Sequence, residues 1–267
     1  MDFCKKYDIM PAEYISSSTS TEDQLMNGSH VAVAGNGTLR SWIPPGCGES
    51  ILYPERTMLI GEEQKVRGGA FVCCPVFGAV PQDDVYGGIV LPQHGLVRQH
   101  PYRGRNCRFH NGVAQSKMHF DEPWQHTVLA STRISRDGER LTHTIRVTNN
   151  ERSPMPISLG FHPYFKTGGS RFEIRRGDRR IKSRDVLHDT PLFIPLSRRK
   201  VVTLSANGRL IALTMNSYTH VCVWTDNIGE YICVELVMRA IQGGQVKLKG
   251  NTSMSVSCEL HTTPLRR

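Results

Sequence analysis

Four short segments gather histidine, arginine and carboxylate side chains beside turns and strand ends. They are Val66-Arg67-Gly68-Gly69-Ala70, Gln93-His94-Gly95-Leu96-Val97-Arg98, Gly160-Phe161-His162-Pro163-Tyr164-Phe165 and Tyr231-Ile232-Cys233-Val234-Glu235-Leu236. Glu235 interrupts an apolar run, and a carboxylate in a mostly buried strand is paired, protonated or functional. Burial moves such a group toward the pKa at which it serves as a general base. Taken alone, Glu235 also fits a strand carboxylate bridged to an arginine or one turned to water. His162 lies in an aromatic, apolar stretch where Pro163 restricts the backbone; a core histidine satisfied by a hydrogen bond fits as well as an acid or base. His94 precedes Gly95, the mark of a sharp turn or a close backbone approach, and Arg98 follows four residues later. No serine nucleophile elbow occurs, and the other histidines fall into no HExxH or similar ligand frame.

The elements that must position these groups read as strands. Short β-branched or alternating runs recur between Gly, Pro and Asn clusters at 30–34, 38–43, 70–76, 127–134, 140–148, 156–161, 171–175, 200–205, 209–214, 219–224, 231–236 and 253–260. In 141–148, Leu141, Ile145 and Val147 share one face, while Thr142, Thr144 and Arg146 take the other. Helical periodicity is confined to weak candidates at 21–26 and 57–65, too short to alternate with strands in βαβ units. Many close-spaced strands predict an all-β fold, one large antiparallel β-sandwich over residues 29–267. Residues 1–28, with the run Ser16 to Thr21, are expected to form an N-terminal extension or mobile tail.

A chain of 267 residues, 39% hydrophobic and 21% charged, is neither disordered nor collagenous and is long enough for a sizeable core. No apolar run approaches the ~18 residues of a membrane span, so no membrane partner is expected. The first residues, Met1 to Asp8, carry early acidic groups and no signal-like apolar region, so a cytoplasmic location is expected. The eight cysteines include no CxxC pair, and several lie in apolar runs, which predicts reduced core thiols instead of a disulfide frame or zinc site. Asn-x-Ser/Thr triplets at Asn27, Asn36 and Asn251 matter only in a secreted chain. The net charge of +9 favours an anionic partner, polymer or small phosphate. Its densest stretch, Arg171 to Arg184 followed by Arg198, Arg199 and Lys200, reads as a solvated strand edge. No nucleic-acid signature accompanies it, and nucleic acid is not expected as a partner.

In order and spacing, Arg67-Gly68-Gly69, Cys74-Pro75-Val76-Phe77-Gly78, His94-Gly95-Leu96-Val97-Arg98, Phe161-His162-Pro163-Tyr164-Phe165 and Cys233-Val234-Glu235 resemble the aldose 1-epimerase family over residues 30 to 262. The Arg-Gly-Gly and Pro-x-Phe-Gly segments lean toward its glucose-6-phosphate 1-epimerase branch. The resemblance implies a galactose-mutarotase-like sandwich, an isomerase that interconverts sugar anomers with no cofactor and no metal. It implies Glu235 as catalytic base and His162 as catalytic acid. It also implies that His94, Arg67 and Arg98 contact the sugar, with Gln93 beside them and Asp189 as the candidate for a hydroxyl-binding aspartate. The implied partner is a sugar or sugar phosphate, with glucose 6-phosphate first, bound by a monomer or weak dimer. A free-aldose epimerase and a carbohydrate-binding sandwich without turnover are the alternatives.

Overall fold

The computed structural model describes residues 21–26, 28–60, 63–78, 91–99, 107–169, 171–196, 200–238 and 246–265. They form 21 strands, β1 to β21 in chain order, and no α-helix. One sheet has eight strands in the spatial order β1 (Thr21–Met26), β2 (Ser29–Ala34), β3 (Leu39–Ile43), β6 (Ala70–Cys73), β12 (Gly160–Lys166), β19 (Tyr231–Val237), β18 (His220–Trp224) and β15 (Leu192–Pro195). The other has nine: β14 (Arg179–Lys182), β13 (Glu173–Arg176), β16 (Val201–Ala206), β17 (Arg209–Asn216), β21 (Ser253–Pro264), β10 (Arg140–Asn149), β9 (His126–Ile134), β8 (Val113–Phe120) and β7 (Cys107–His110). Pairing within both is antiparallel, as in β10 with β21, β12 with β19 and β18 with β19. The all-β reading and the antiparallel sandwich are thus observed.

Alternation explains how the sheets face each other. In β10, Leu141, His143, Ile145, Val147 and Asn149 are buried, while the residues between them are partly or fully exposed. They meet Phe161, Phe165, Ile232, Val234 and Leu236 of the eight-stranded sheet in one apolar core. His143 stacks on Phe161 across the gap, ring centroids 4.3 Å apart. Each fully buried aliphatic or aromatic side chain there contributes about 1.5–3 kcal/mol of transfer free energy, an upper figure because unfolded chains bury some surface already.

The central strands β12 and β19 are buried along nearly their whole length, on both faces. Their second face carries His162, Tyr164, Tyr231, Cys233 and Glu235. There Tyr53, Phe71, Cys73, Tyr164, Tyr231 and Cys233 form a second cluster, with Phe77 and Trp224 packed against it. A face with this much polar and aromatic content is where a site is to be sought.

Two expectations are corrected. Residues 21–26 form β1, paired from Thr21↔Ala34 to Met26↔Ser29, instead of a helix. Residues 57–65 fall in the hairpin of β4 (Arg56–Ile60) with β5 (Glu63–Arg67). Neither segment has a clear helical period, and in both the partner strand, not local propensity, satisfies the backbone. Residues 1–20 of the expected extension lie outside the described residues. The basic stretch occupies β13 and β14, and β14 is an edge strand whose Arg179, Arg180 and Lys182 are exposed; Arg198 and Arg199 lie outside the described residues. Cys73, Cys74, Cys222, Cys233 and Cys258 are buried free thiols. Among the described residues no helix is long and apolar enough to cross a membrane.

Candidate active site

Strand register brings the two central groups together. The pairs Phe161↔Leu236 and Tyr164↔Cys233 set His162 opposite Glu235, and His162 Nε2 lies 3.4 Å from Glu235 Oε1. Both side chains are 3% exposed. The imidazole is held between two rings: Phe71, its neighbour across β6, stacks at 4.5 Å and Tyr164 at 4.8 Å. Burial pushes the Glu235 carboxyl up to about 8, against a smaller opposing pull from its hydrogen bond with the Cys222 thiol, the residue across from it on β18. Burial also drives His162 well below the ordinary imidazole range, and the Arg98 and Arg67 charges add to it. At neutral pH the pair therefore holds one proton between an imidazole and a carboxyl group, and that proton belongs to the pair.

His94 approaches from outside the sheet. Its ring meets His162 edge to face at 5.0 Å and Phe77 at 5.4 Å. Its backbone is left-handed, with φ 67°, and Gly95 follows at φ 78° in a parallel bridge to Cys74. A Cβ on Gly95 would stand 2.2 Å from the Cys74 carbonyl oxygen, so only glycine permits this approach. Gly78 N–H donates to His94 Nδ1 at 3.2 Å, and the Cys73 sulfur lies 3.5 Å from the same nitrogen. The ring proton accordingly sits on Nε2. Burial, followed by Arg98 and Arg67, lowers His94 to about 3, so it stays a neutral donor.

The two arginines differ. Arg67, at the end of β5, gives Nε and Nη2 to Asp226 Oδ2 at 3.0 and 2.9 Å, and its guanidinium lies 5.2 Å from the Trp224 ring. Asp226 accepts a further hydrogen bond from the Tyr231 hydroxyl. Gly68 next to Arg67 has φ 106°, and a Cβ there would stand 2.2 Å from the Pro54 carbonyl oxygen. Arg98, in a 3-10 turn at Val97–Gln99, donates from Nη2 to the Val66 carbonyl at 2.6 Å and lies 4.0 Å over Phe71. Among the described residues no carboxylate pairs with it. Asn36 braces this turn, donating to the Arg98 carbonyl at 3.4 Å.

Asp189 stands at the rim. It is exposed, with φ 50°, and accepts from Trp224 Nε1 at 3.0 Å. Gln93 is exposed in the turn before His94. Sequence reasoning passed over Asp226, Trp224, Tyr231 and Phe71. Asp226 belongs to the polar turn 225–229 and reads there as turn chemistry; an unmatched arginine next to Gly68-Gly69 was the signal that a buried carboxylate was needed.

The pair is closed in this conformation, so a ligand reaches it only when covering groups move aside. A cleft of about 280 Å³ lined by Cys47, Glu49, Lys166, Asn207 and Arg209 lies elsewhere. What the site offers chemically is a one-proton acid/base pair, a neutral N–H donor, an arginine matched by a carboxylate, a second that has none among the described residues, and a wall of aromatic rings.

Residues 36–188 match the profile of a family described as aldose 1-epimerase. A search of curated protein sequences finds no match. Among solved structures, a Synechocystis protein superposes with a TM-score of 0.74 at 17% identity, covering 93% of this chain and 97% of its own. A galactose mutarotase-like protein from Lactobacillus casei gives 0.74 at 14% identity, covering 91% and 100%. The aldose epimerase homologue from C. elegans gives 0.69 at 10% identity, covering 93% and 100%. At these identities the structural likeness establishes the fold, a galactose mutarotase-like β-sandwich.

Proposed function

The chain belongs to the aldose 1-epimerase family, and from that premise we propose that it is an isomerase exchanging the α and β anomers of a hexose through His162 and Glu235. The observation that carries this is their 3.4 Å contact on adjacent central strands, both buried, facing aromatic rings. Anomer exchange needs a proton taken from the C1 hydroxyl and one given to the ring oxygen, two atoms joined through a single carbon. A hemiacetal edge laid across the pair presents one oxygen to each.

Glu235 as carboxylate takes the hydroxyl proton while His162 as imidazolium protonates the ring oxygen. The ring opens, leaving Glu235 protonated and His162 neutral. Rotation about C1–C2 turns the other face of the aldehyde to the ring hydroxyl. Closure then returns each proton, with the two roles exchanged. The pair holds one proton before and after each step, the same inventory that burial gives it in the free protein. His94 supports the ring oxygen or a neighbouring hydroxyl through Nε2–H. Arg67 and Asp226, fixed against each other, offer a donor and an acceptor to sugar hydroxyls. Asp189 and Gln93 reach only a substituent at the rim.

The finer reading is a hexose 6-phosphate, glucose 6-phosphate first. Arg98 supports it, since among the described residues no carboxylate pairs with its guanidinium, which suits a bidentate phosphate contact. The Arg67–Asp226 pair favours a second reading, a free aldose, because it neutralises one of the two arginines that a phosphate dianion would use.

A coupled anomer assay on glucose 6-phosphate, glucose and galactose tests both levels. Glu235→Gln and His162→Ala are each expected to lower the rate by ~10²–10⁴-fold. Unchanged rates in both would remove the catalytic assignment. Arg98→Ala is expected to lower kcat/KM for the 6-phosphate while sparing glucose; the reverse preference would install the free aldose.

A further inference from the structure

We propose that the His162–Glu235 site also takes a soft divalent cation, of which Zn²⁺ and Cd²⁺ are the probes, on His162 Nε2, Cys233 Sγ and a Glu235 carboxylate oxygen, and that occupancy shuts the site off. The three donor atoms lie within 4.8 Å of one another, and all three residues are buried. Cys233 precedes Glu235 by two residues on β19, so both side chains leave the same face, and β12 brings His162 to them. Chain spacing conceals the set, because the ligands come from two strands and not from one motif.

The geometry suits a tetrahedral ion with an open position. Metal bonds of about 2.0–2.3 Å to N, O and S place neighbouring donors about 3.3–3.7 Å apart. The His162–Glu235 separation of 3.4 Å already meets that edge length. Only the Cys233 thiol has to draw in, by up to about 1.3 Å on the same bond lengths. Histidine, thiolate and carboxylate are each ordinary zinc donors, and the thiolate selects against Mg²⁺ and Ca²⁺. Charge also balances: a dication with one thiolate and one carboxylate is neutral, an advantage in a buried site.

Binding exchanges two protons for the metal. The Cys233 thiol, raised by burial, and the Glu235 carboxyl each release one, while neutral His162 supplies a lone pair from Nε2 and keeps its proton on Nδ1. The ion occupies the atoms that the proposed reaction uses, and the inhibitory half of the inference rests on that reading. The metal site itself does not.

The test uses the full chain freed of metal by a chelator. Cd²⁺ titration is followed by the ultraviolet thiolate-to-metal charge-transfer band, Zn²⁺ by calorimetry in two buffers to count released protons, and anomer exchange on glucose 6-phosphate and glucose in parallel. Expected are one Cd²⁺ per chain with a thiolate band, close to two protons released, and inhibition that rising sugar relieves. Cys233→Ser is expected to lose the band and weaken Zn²⁺ by more than about tenfold, read against its own metal-free rate. Cys47→Ser, in the distant cleft, keeps both. Should Cys233→Ser fold poorly, Cys233→Ala, which removes the same ligand atom and suits the apolar cluster around it, gives the same reading. A band that survives removal of the Cys233 thiol in either variant overturns the site. Metal bound as described to a chain without anomer exchange on any sugar would sink the proposed function and leave the site standing. Exchange that micromolar to millimolar Zn²⁺ leaves untouched would do the opposite.

Discussion

Asp226 and Arg67 form the most exacting contact in the site, and a double-mutant cycle on them probes whether it positions the site as described. Asp226 Oδ2 receives two guanidinium N–H groups at 3.0 and 2.9 Å, with side-chain exposures of 9% and 12%. Unit charges about 4 Å apart attract by about 4 kcal/mol at an effective dielectric near 20. Desolvation of both groups offsets most of that, so the pair is worth little against an apolar replacement. Removing one partner is different, because it strands a mostly buried charge, at about 3–5 kcal/mol. The slight exposure favours the low end, so Asp226→Asn and Arg67→Met should each destabilise by about 3 kcal/mol. The double variant should cost clearly less than their sum, with a coupling of about 2 kcal/mol or more. Urea unfolding at constant m reports the three values. Additive losses, within about 0.5 kcal/mol, would show that the two charges are not held against each other and would return Arg67 to the pool of free cations for a phosphate.

Three further outcomes are expected. Gly95→Ala forces a Cβ to 2.2 Å from the Cys74 carbonyl at φ 78°; it should cost about 1–3 kcal/mol in denaturation and reduce anomer exchange more than a matched loss of stability elsewhere, by shifting His94. The pH profile of kcat/KM should fall above about 8 as the pair loses its single proton, the Glu235 carboxyl being held near that value; a flat profile from pH 7 to 9.5 contradicts the one-proton pair. His94 and His143 are lowered to about 3 by burial, so their stabilising contribution is complete above the unfolded value of about 6.5 and is lost as pH falls toward 3. Each makes stability fall by about 1.4 kcal/mol per pH unit in that window. Glu235, raised from 4.5, acts in the opposite sense: its contribution is complete below 4.5 and lost as pH rises toward 8. His143→Phe removes one core imidazole and should flatten the acid limb of a urea-stability profile by that one-group slope; an unchanged limb refutes the assignment.

The polar residues that broke apolar runs were the legible part of the site. Glu235 and His162 stood out because each interrupts an apolar run, and the register of β12 with β19 sets them side by side. The partner strand was not legible, which is why Asp226, in a polar turn, drew no attention. The same holds for Cys233, taken as an ordinary core thiol although the register sets it across from Tyr164. Among the strands, β9, β10 and β21 announced themselves through alternation. By contrast β1, β5 and β14 are mostly polar segments whose backbones are satisfied by the neighbour they pair with, and no local signal carries that. Arg179 to Lys182 illustrates the limit: charge marked it as surface, and only pairing to β13 made it a strand.

Of the three tryptophans in the chain, Trp42 is fully buried in the core and Trp124 packs against it, whereas Trp224 touches Asp189 and Arg67. The indole emission of this protein therefore contains a single component that senses the pocket, against two that report only on folding. Quenching or a spectral shift confined to that component gives a label-free measure of sugar occupancy, and Trp224→Phe supplies its blank.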